Sequence, residues 1–213
     1  GVGLASQIWY GGGGPPSYAW IRIGADAHVQ VVTAMQDIGT GSRTAMAQIA
    51  AEELGVPVDR VRVSLGDSAR GPYAAISAGS STIPSMGPAV RSAAADAKRQ
   101  LLEIAAQRYE VEERVLSIEN GRILSADGGS WPLEEVTGLL GDAQITGKGA
   151  RGPNPAGMRV LTFGVQVADV AVDIETGEEI FWINFSLKPR FVDLAPDESR
   201  ALLARLYDEV KRP

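Results

Sequence analysis

Residues 85–109 read as one long helix, and its apolar face constrains the fold of this chain more than any other feature. Val90, Ala94, Ala97, Leu101, Ile104 and Ala105 recur on one side at helical spacing. A stripe of that length has to be covered for the chain to stay in solution. A second helix is expected over 42–54, where Ala45/Ile49 and Met46/Ala50/Leu54 are spaced four apart and Gly55 and Pro57 supply the stop. The covering surface is predicted to be β. Residues 19–23 and 28–33 flank the connector 24–27 as a hairpin, and 61–65 is a short strand. Asn120-Gly121 between 116–119 and 122–124 is a second hairpin signal, since both turn positions favour positive φ. A long strand over 159–173 turns through Glu175-Thr176-Gly177-Glu178 into 179–187. A short helix is expected near 133–140, and residues 1–16 and 147–157 read as loop. A final amphipathic helix over 196–211 carries Leu202, Leu203, Leu206, Tyr207 and Val210. Hairpins mixed with helices predict an α+β fold: a mixed sheet, two main packed helices and a C-terminal amphipathic helix.

Composition removes several classes of function. The 213 residues carry a net charge of −6, which argues against nucleic-acid binding as a main role. With no cysteine, the chain has no disulfide, thiolate metal site, cysteine-bound iron–sulfur cluster or cysteine nucleophile. His28 is the one histidine; it stands at a strand start and is expected at the surface. No apolar run approaches the ~20 residues of a membrane span, so a membrane segment is not expected. No signal peptide is visible, and a cytoplasmic location is expected; the chain opens on Gly1, so an N-terminal piece is expected to be missing.

Two small-residue loops carry the chemistry. The first is Gly39-Thr40-Gly41-Ser42-Arg43-Thr44, opening the shorter helix. Unpaired N–H groups and the helix dipole favour an anion there, with hydroxyl donors from Thr40, Ser42 and Thr44 and a charge from Arg43. The simpler alternative is an N-cap with no ligand. The segment is neither a Walker A loop nor a dinucleotide fingerprint. The second loop, Ala78-Gly79-Ser80-Ser81-Thr82, precedes the long helix. If both loops face one cleft, a phosphate, sulfate or pterin-like ligand is expected near the N–H groups of Gly41, Ser42 and Arg43. The hydroxyls of Ser80, Ser81 or Thr82 then lie on the same side. Independent caps need not converge. The run Gly11-Gly12-Gly13-Gly14-Pro15-Pro16 reads either as a flexible lead-in or as backbone in close approach to a ligand.

The order of short motifs resembles one family. Asp37-Ile38-Gly39-Thr40-Gly41, Gln48-Ile49-Ala50-Ala51-Glu52, Leu54-Gly55-Val56-Pro57 and Val61-Arg62-Val63 come first. Gly66-Asp67, Pro72, Ala78-Gly79-Ser80 and Gly87-Pro88-Ala89-Val90 follow. Together with the stretch from Val167 to Glu178 they are similar to the molybdopterin-binding large subunit of the xanthine dehydrogenase, aldehyde oxidase and carbon monoxide dehydrogenase family. The resemblance covers about residues 1–180, leaving 181–213 as a divergent strand and helix. It implies a pyranopterin surface, with the cofactor's phosphate end at the Gly39-Thr40-Gly41 turn and helix start. It places the loop Ala78-Gly79-Ser80-Ser81-Thr82 beside pterin and metal.

It also implies hydroxylation with oxygen from water, and partners in the form of further molybdopterin-subunit segments and iron–sulfur or flavin subunits. After about residue 180 the family's later cofactor segments and its Gly-x-Gly-Glu base motif are missing, so no catalytic residue and no protein metal ligand is assigned. Glu52, Glu53 and Asp67 match positions that are structural in the family.

Three functions follow as expectations. The chain is an incomplete part of a hydroxylase's molybdenum-cofactor-binding domain, or a truncated free-standing relative without catalysis that acts as a binding or interaction module; the molybdopterin cofactor is expected to be either kept or lost. The third is a carrier for the pterin. A native end at Pro213 would favour the module. Pairing of two copies through the 196–211 helix is a further expectation, and the isolated chain is expected not to oxidise purines or aldehydes.

Overall fold

The computed structural model describes residues 2–157, 161–172, 175 and 179–187. In chain order its elements are β1 (Val2–Tyr10), β2 (Tyr18–Ile23), β3 (Val29–Val32), α1 (Ser42–Leu54), β4 (Val61–Ser64), α2 (Thr82–Tyr109), β5 (Leu116–Glu119), β6 (Arg122–Ser125), β7 (Ser130–Pro132), α3 (Leu133–Thr137), β8 (Ile145–Ala150), β9 (Leu161–Val172) and β10 (Glu179–Leu187). They form two units, one of Tyr10–Val160 and one of Gly1–Trp9 with Leu161–Pro213. The fold class is α+β, as the mixture of hairpins and helices predicts.

In the larger unit a four-stranded mixed sheet has the order β4-β3-β2-β8. β2 pairs antiparallel with β3 and β8, and β3 pairs parallel with β4 across the α1 crossover. Alternate residues Ile21, Ile23, Val29, Val31, Val61 and Val63 are buried on one sheet face. Met46, Ala50 and Leu54 of α1 and Ala89, Val90, Ala93, Ala94, Ala97 and Leu101 of α2 complete that core. Ile49 and Ile104 lie at its margin, partly buried.

The small side chains of α2 have a partner reason. A Cβ added at Gly147 would stand 2.2 Å from the Ala93 carbonyl oxygen, and one at Gly149 2.2 Å from that of Ala89. Helix and strand backbones therefore touch, which only Ala facing Gly permits. This corrects the reading of 147–157 as loop, since its first four residues belong to β8. β8 is an edge strand, and α2 covers its free side: Lys148 N–H donates to Asp96 Oδ2 (3.0 Å), and Gln100 Nε2 donates to the Thr146 carbonyl (3.2 Å).

A second small sheet, β5-β6-β7, turns at Asn120 and Gly121 with φ of 51° and 72°, as the Asn-Gly signal requires. Trp131 of β7 stacks on Tyr109 at the end of α2, with ring centroids 4.0 Å apart. α2 begins at Thr82, three residues before the expected Ser85. Pro84 is compatible with that start, because a first-turn N–H has no intrahelical acceptor to lose.

The smaller unit holds a three-stranded sheet of order β1-β9-β10, with β9 and β10 antiparallel from Val172↔Glu179 to Val165↔Leu187. β1 corrects the expectation of loop over 1–16: Val2–Tyr10 is a strand. The expected helix over 196–211, and with it the proposed pairing of two copies, lies outside the described residues. Among the described residues no helix is long and apolar enough to cross a membrane.

Candidate functional site

Helices α1 and α2 run side by side in the same direction. Gly87 of α2 faces Ile49 of α1, with 3.2 Å from a Cβ built there to Ile49 Cδ1. One turn on, Arg91 Nε meets Glu53 Oε2 at 2.8 Å, and Lys98 Nζ donates to the Glu53 carbonyl at 3.1 Å. The contacts advance together along both helices, so both N-termini emerge at one end. At that end Gln36 bridges the segments that precede the two loops. Ser77 N–H donates to Gln36 Oε1 (3.3 Å), and Ser77 Oγ donates to the Gln36 carbonyl (3.2 Å). The structure therefore brings Gly39-Thr40-Gly41-Ser42-Arg43-Thr44 and Ala78-Gly79-Ser80-Ser81-Thr82 to the same end of one helix pair.

The start of α1 carries its own anion. Asp37 Oδ1 accepts the N–H groups of Gly39 (3.0 Å) and Thr40 (3.1 Å), and its Oδ2 accepts that of Arg43 (2.9 Å). These donors, the Arg43 N–H foremost, hold the Asp37 carboxyl below the usual aspartate range. The Arg43 guanidinium turns back to donate to the Val63 carbonyl. Thr40 Oγ1 and Ser42 Oγ lie 3.0 Å apart; Ser42 is buried and Thr40 exposed. A Cβ added at Gly39 or Gly41 would meet nothing within 4 Å, so the outer side of the turn is open.

The start of α2 is built differently. Gly79 and Ser80 have φ of 57° and 58°, a left-handed step that is uncommon for serine. Ser81 Oγ lies 2.6 Å from the Ala78 carbonyl and 3.0 Å from that of Ile76, so this hydroxyl stabilises the loop and does not cap the helix. The space beside Gly79 is open as well.

Behind the α2 start sits Arg151, 8% exposed. Pro88 has no N–H, so the Pro84 carbonyl four residues earlier lacks its helical donor. Arg151 Nε fills that place at 3.0 Å. Its other nitrogens reach the Gly152 carbonyl (2.6 Å) and Asn154 Oδ1, and Asn154 Nδ2 donates to the Gly13 carbonyl (3.0 Å). A Cβ on Gly13 would collide with Pro84 Cβ at 2.4 Å. The glycine run thus approaches the first turn of α2 within its own chain.

Sequence reasoning named Asp37 only as part of a motif and missed Gln36, Ser77 and Arg151. The Asp37-x-Gly39 spacing was the available signal, because an Asp often accepts the N–H two residues on. His28 is exposed as expected, but it has a carboxylate beside it: Nδ1 lies 3.3 Å from Asp26 Oδ2. Asp67 is engaged like Asp37, accepting the N–H groups of Ala69 and Arg70 at 3.0 and 3.2 Å.

Residues 1–180 match the family described as the molybdopterin cofactor-binding domain. The chain is 36% identical over 117 residues to a nicotinate dehydrogenase subunit of Pseudomonas putida, covering 55% of this chain and 10% of that protein. It is 54% identical over 52 residues to the molybdenum-binding subunit of an aldehyde oxidoreductase of Escherichia coli, 24% of this chain and 7% of the other. Among solved structures, carbon monoxide dehydrogenase from Oligotropha carboxidovorans superposes with a TM-score of 0.71 at 24% identity, over 87% of this chain and 26% of the other. The likeness to the solved chain establishes the shared fold. This chain spans about a tenth or less of these two curated relatives.

Proposed function

Because the chain belongs to the molybdopterin cofactor-binding domain family, we propose that it forms part of the cofactor site of a hydroxylase-type molybdenum oxidoreductase and is incomplete on its own. The observation that carries this reading is the emergence of two open, glycine- and hydroxyl-rich loops at one end of the parallel pair α1 and α2, linked through Gln36 and Ser77. In this reading Gly39, Thr40, Gly41, Ser42, Arg43 and Thr44 make one wall and Ala78, Gly79, Ser80, Ser81 and Thr82 a second. The residues fit such a group: open glycine backbone admits a flat heterocycle, and the Thr40 and Ser80 hydroxyls offer uncharged hydrogen bonds. When bound, the cofactor supplies redox chemistry at molybdenum.

Further walls and the general base come from other segments of a molybdopterin subunit, and electron transfer from iron–sulfur or flavin subunits. The exposed side chains of Ile38 and Ile76, directly flanking the loops, support a site completed by more polypeptide. Residues 1–180 form the cofactor-binding part and 181–213 a divergent addition. A second reading, a binding module without catalysis, is favoured by Asp37 and Asp67, which both spend their carboxylates on backbone turns. Molybdenum analysis and pterin fluorescence on the chain from a molybdenum-replete host test the cofactor reading. Both signals are expected in stoichiometric relation. Their absence from the folded chain, even when the remainder of a subunit is co-produced, would sink it.

A further inference from the structure

We propose that the outer face of the sheet β4-β3-β2-β8 is a docking surface for an acidic polypeptide, held by Arg22, Arg62 and Lys148 around the ring of Trp20. Its occupancy is independent of the cofactor reading of the two loops. Strand alternation sorts the side chains. Ile21, Val31 and Val63 are buried on the helix side, and Gly147 and Gly149 abut α2, so the residues between them stand on the opposite face. The register sets Arg62, Gln30 and Arg22 in one row across this face, with Trp20 beside Lys148 in the next. Gln30, Arg62 and Lys148 are exposed, and Trp20 and Arg22 are half-buried. The chain has a net charge of −6, yet no outward position of these strands holds an Asp or Glu. Elsewhere Arg60, Arg91, Arg99 and Arg114 each meet a carboxylate. Among the described residues the side chains of Arg22, Arg62 and Lys148 meet none, and Arg22 instead lies over the Trp20 ring, 5.5 Å from its centroid. Guarding of exposed edges accounts for Arg62 and Lys148, which lie on the edge strands β4 and β8. It does not account for a tryptophan and a stacked arginine on central β2, a pair of residue types that anchors interfaces. A stacked guanidinium keeps N–H groups in its plane for a carboxylate. Strand spacing puts Arg22 and Arg62 roughly 10 Å apart across Gln30, within reach of one acidic segment. A nucleic acid would bring continuous charge against an otherwise acidic chain, with few cations here to neutralise it. A polypeptide brings local carboxylates together with apolar contact for Trp20.

Hexaglutamate and a thymidine hexanucleotide, titrated separately into the 15N-labelled chain at low salt, test this without any cofactor. Hexaglutamate should saturably shift the Trp20 indole signal and the Arg22, Arg62 and Lys148 amides, and added salt should weaken the binding. In Arg62→Glu/Lys148→Glu the apparent affinity should fall at least about tenfold. Arg108→Glu/Arg114→Glu reverses as much charge at exposed positions outside this sheet and should stay within about twofold of wild type. Arg62→Gln/Lys148→Gln serves in place of the glutamate pair if that variant does not fold, and if neither folds the wild-type map decides alone. No saturable shift in the wild type, shifts that centre away from Trp20, or equal losses in the two double variants would overturn the proposal. Tighter binding of the hexanucleotide at the same signals would overturn the choice of a polypeptide.

Discussion

Helices α1 and α2 start from loops of similar composition and are held in opposite ways. α1 is fixed at its ends. Asp37, outside the helix, accepts the Arg43 N–H of its first turn together with the Gly39 and Thr40 N–H groups of the turn before it. At its other end Gly55, at φ 78°, closes it, donating to the Ala51 carbonyl at 2.9 Å while its own carbonyl accepts the Gly121 N–H at 2.9 Å. α2 has no side-chain cap at its start and is fixed along its body, where its alanines lie on Gly147 and Gly149 and where Asp96 and Gln100 bond the outer edge of β8. A short helix makes few hydrogen bonds of its own and gains by having its ends secured. A long one seated backbone to backbone can leave its start for other work.

The comparison breaks first at Gly55. A Cβ there would stand 1.9 Å from the Ile118 carbonyl oxygen, and the residue is left-handed as well. A left-handed alanine costs roughly 1–2 kcal/mol, and overpacking adds about 1–3 kcal/mol. Gly55→Ala should therefore give the largest fall in thermal midpoint, seen in a calorimetric scan. A variant within a degree of wild type would mean that α1 is not secured there. Next is Gly149→Ala, which forces β8 off Ala89 and Ala93 and should lose about 3 kcal/mol in urea unfolding. Amides of Ala89 and Ala93 should lose hydrogen-exchange protection before those of α1. Equal loss in both helices would deny the separate anchoring. Asp96→Ala removes the acceptor for Lys148 N–H and should cost roughly 1–2 kcal/mol, with faster exchange at Lys148. An unchanged Lys148 rate would show that water serves the edge equally well.

Much of this was legible in the sequence where local rules decide. The spacing of Met46, Ala50 and Leu54 and the stripe through Ala97 and Leu101 named the buried helix faces. Asn120-Gly121 named its hairpin. β8 was not legible, because Gly147 and Gly149 read as loop until the helix that presses on them is known. β1 was missed because its strand character comes from pairing with β9, far along the chain. At the candidate site the loop residues stood out by composition. Their placement at one end of the helix pair did not, since it depends on the parallel packing of Ile49 on Gly87 and of Glu53 on Arg91. The role of Asp37 could have been read from its spacing, a pattern repeated where Asp26, Asp67 and Asp127 each accept the N–H two residues on.

The smallest effect lies in the acid limb and separates the α1 start from the rest. The Asp37 carboxyl titrates below the usual aspartate range, chiefly because the Arg43 N–H donates to it, so the folded chain binds its proton less readily than the unfolded chain does. A carboxyl depressed in this way stabilises the fold fully above its unfolded value, about pH 4, and the contribution is lost as pH falls through the lower folded value. Asp96, Asp127 and Glu134 are shifted in the same direction, so the wild-type curve alone cannot isolate Asp37. The difference between wild type and Asp37→Asn can, because the other three remain in both. That difference in thermal midpoint should be constant from about pH 7 to 5 and shrink below about pH 4, as the wild-type carboxylate takes up its proton. A difference that stays flat to the acid end would mean that the charge of Asp37 is not what holds the turn.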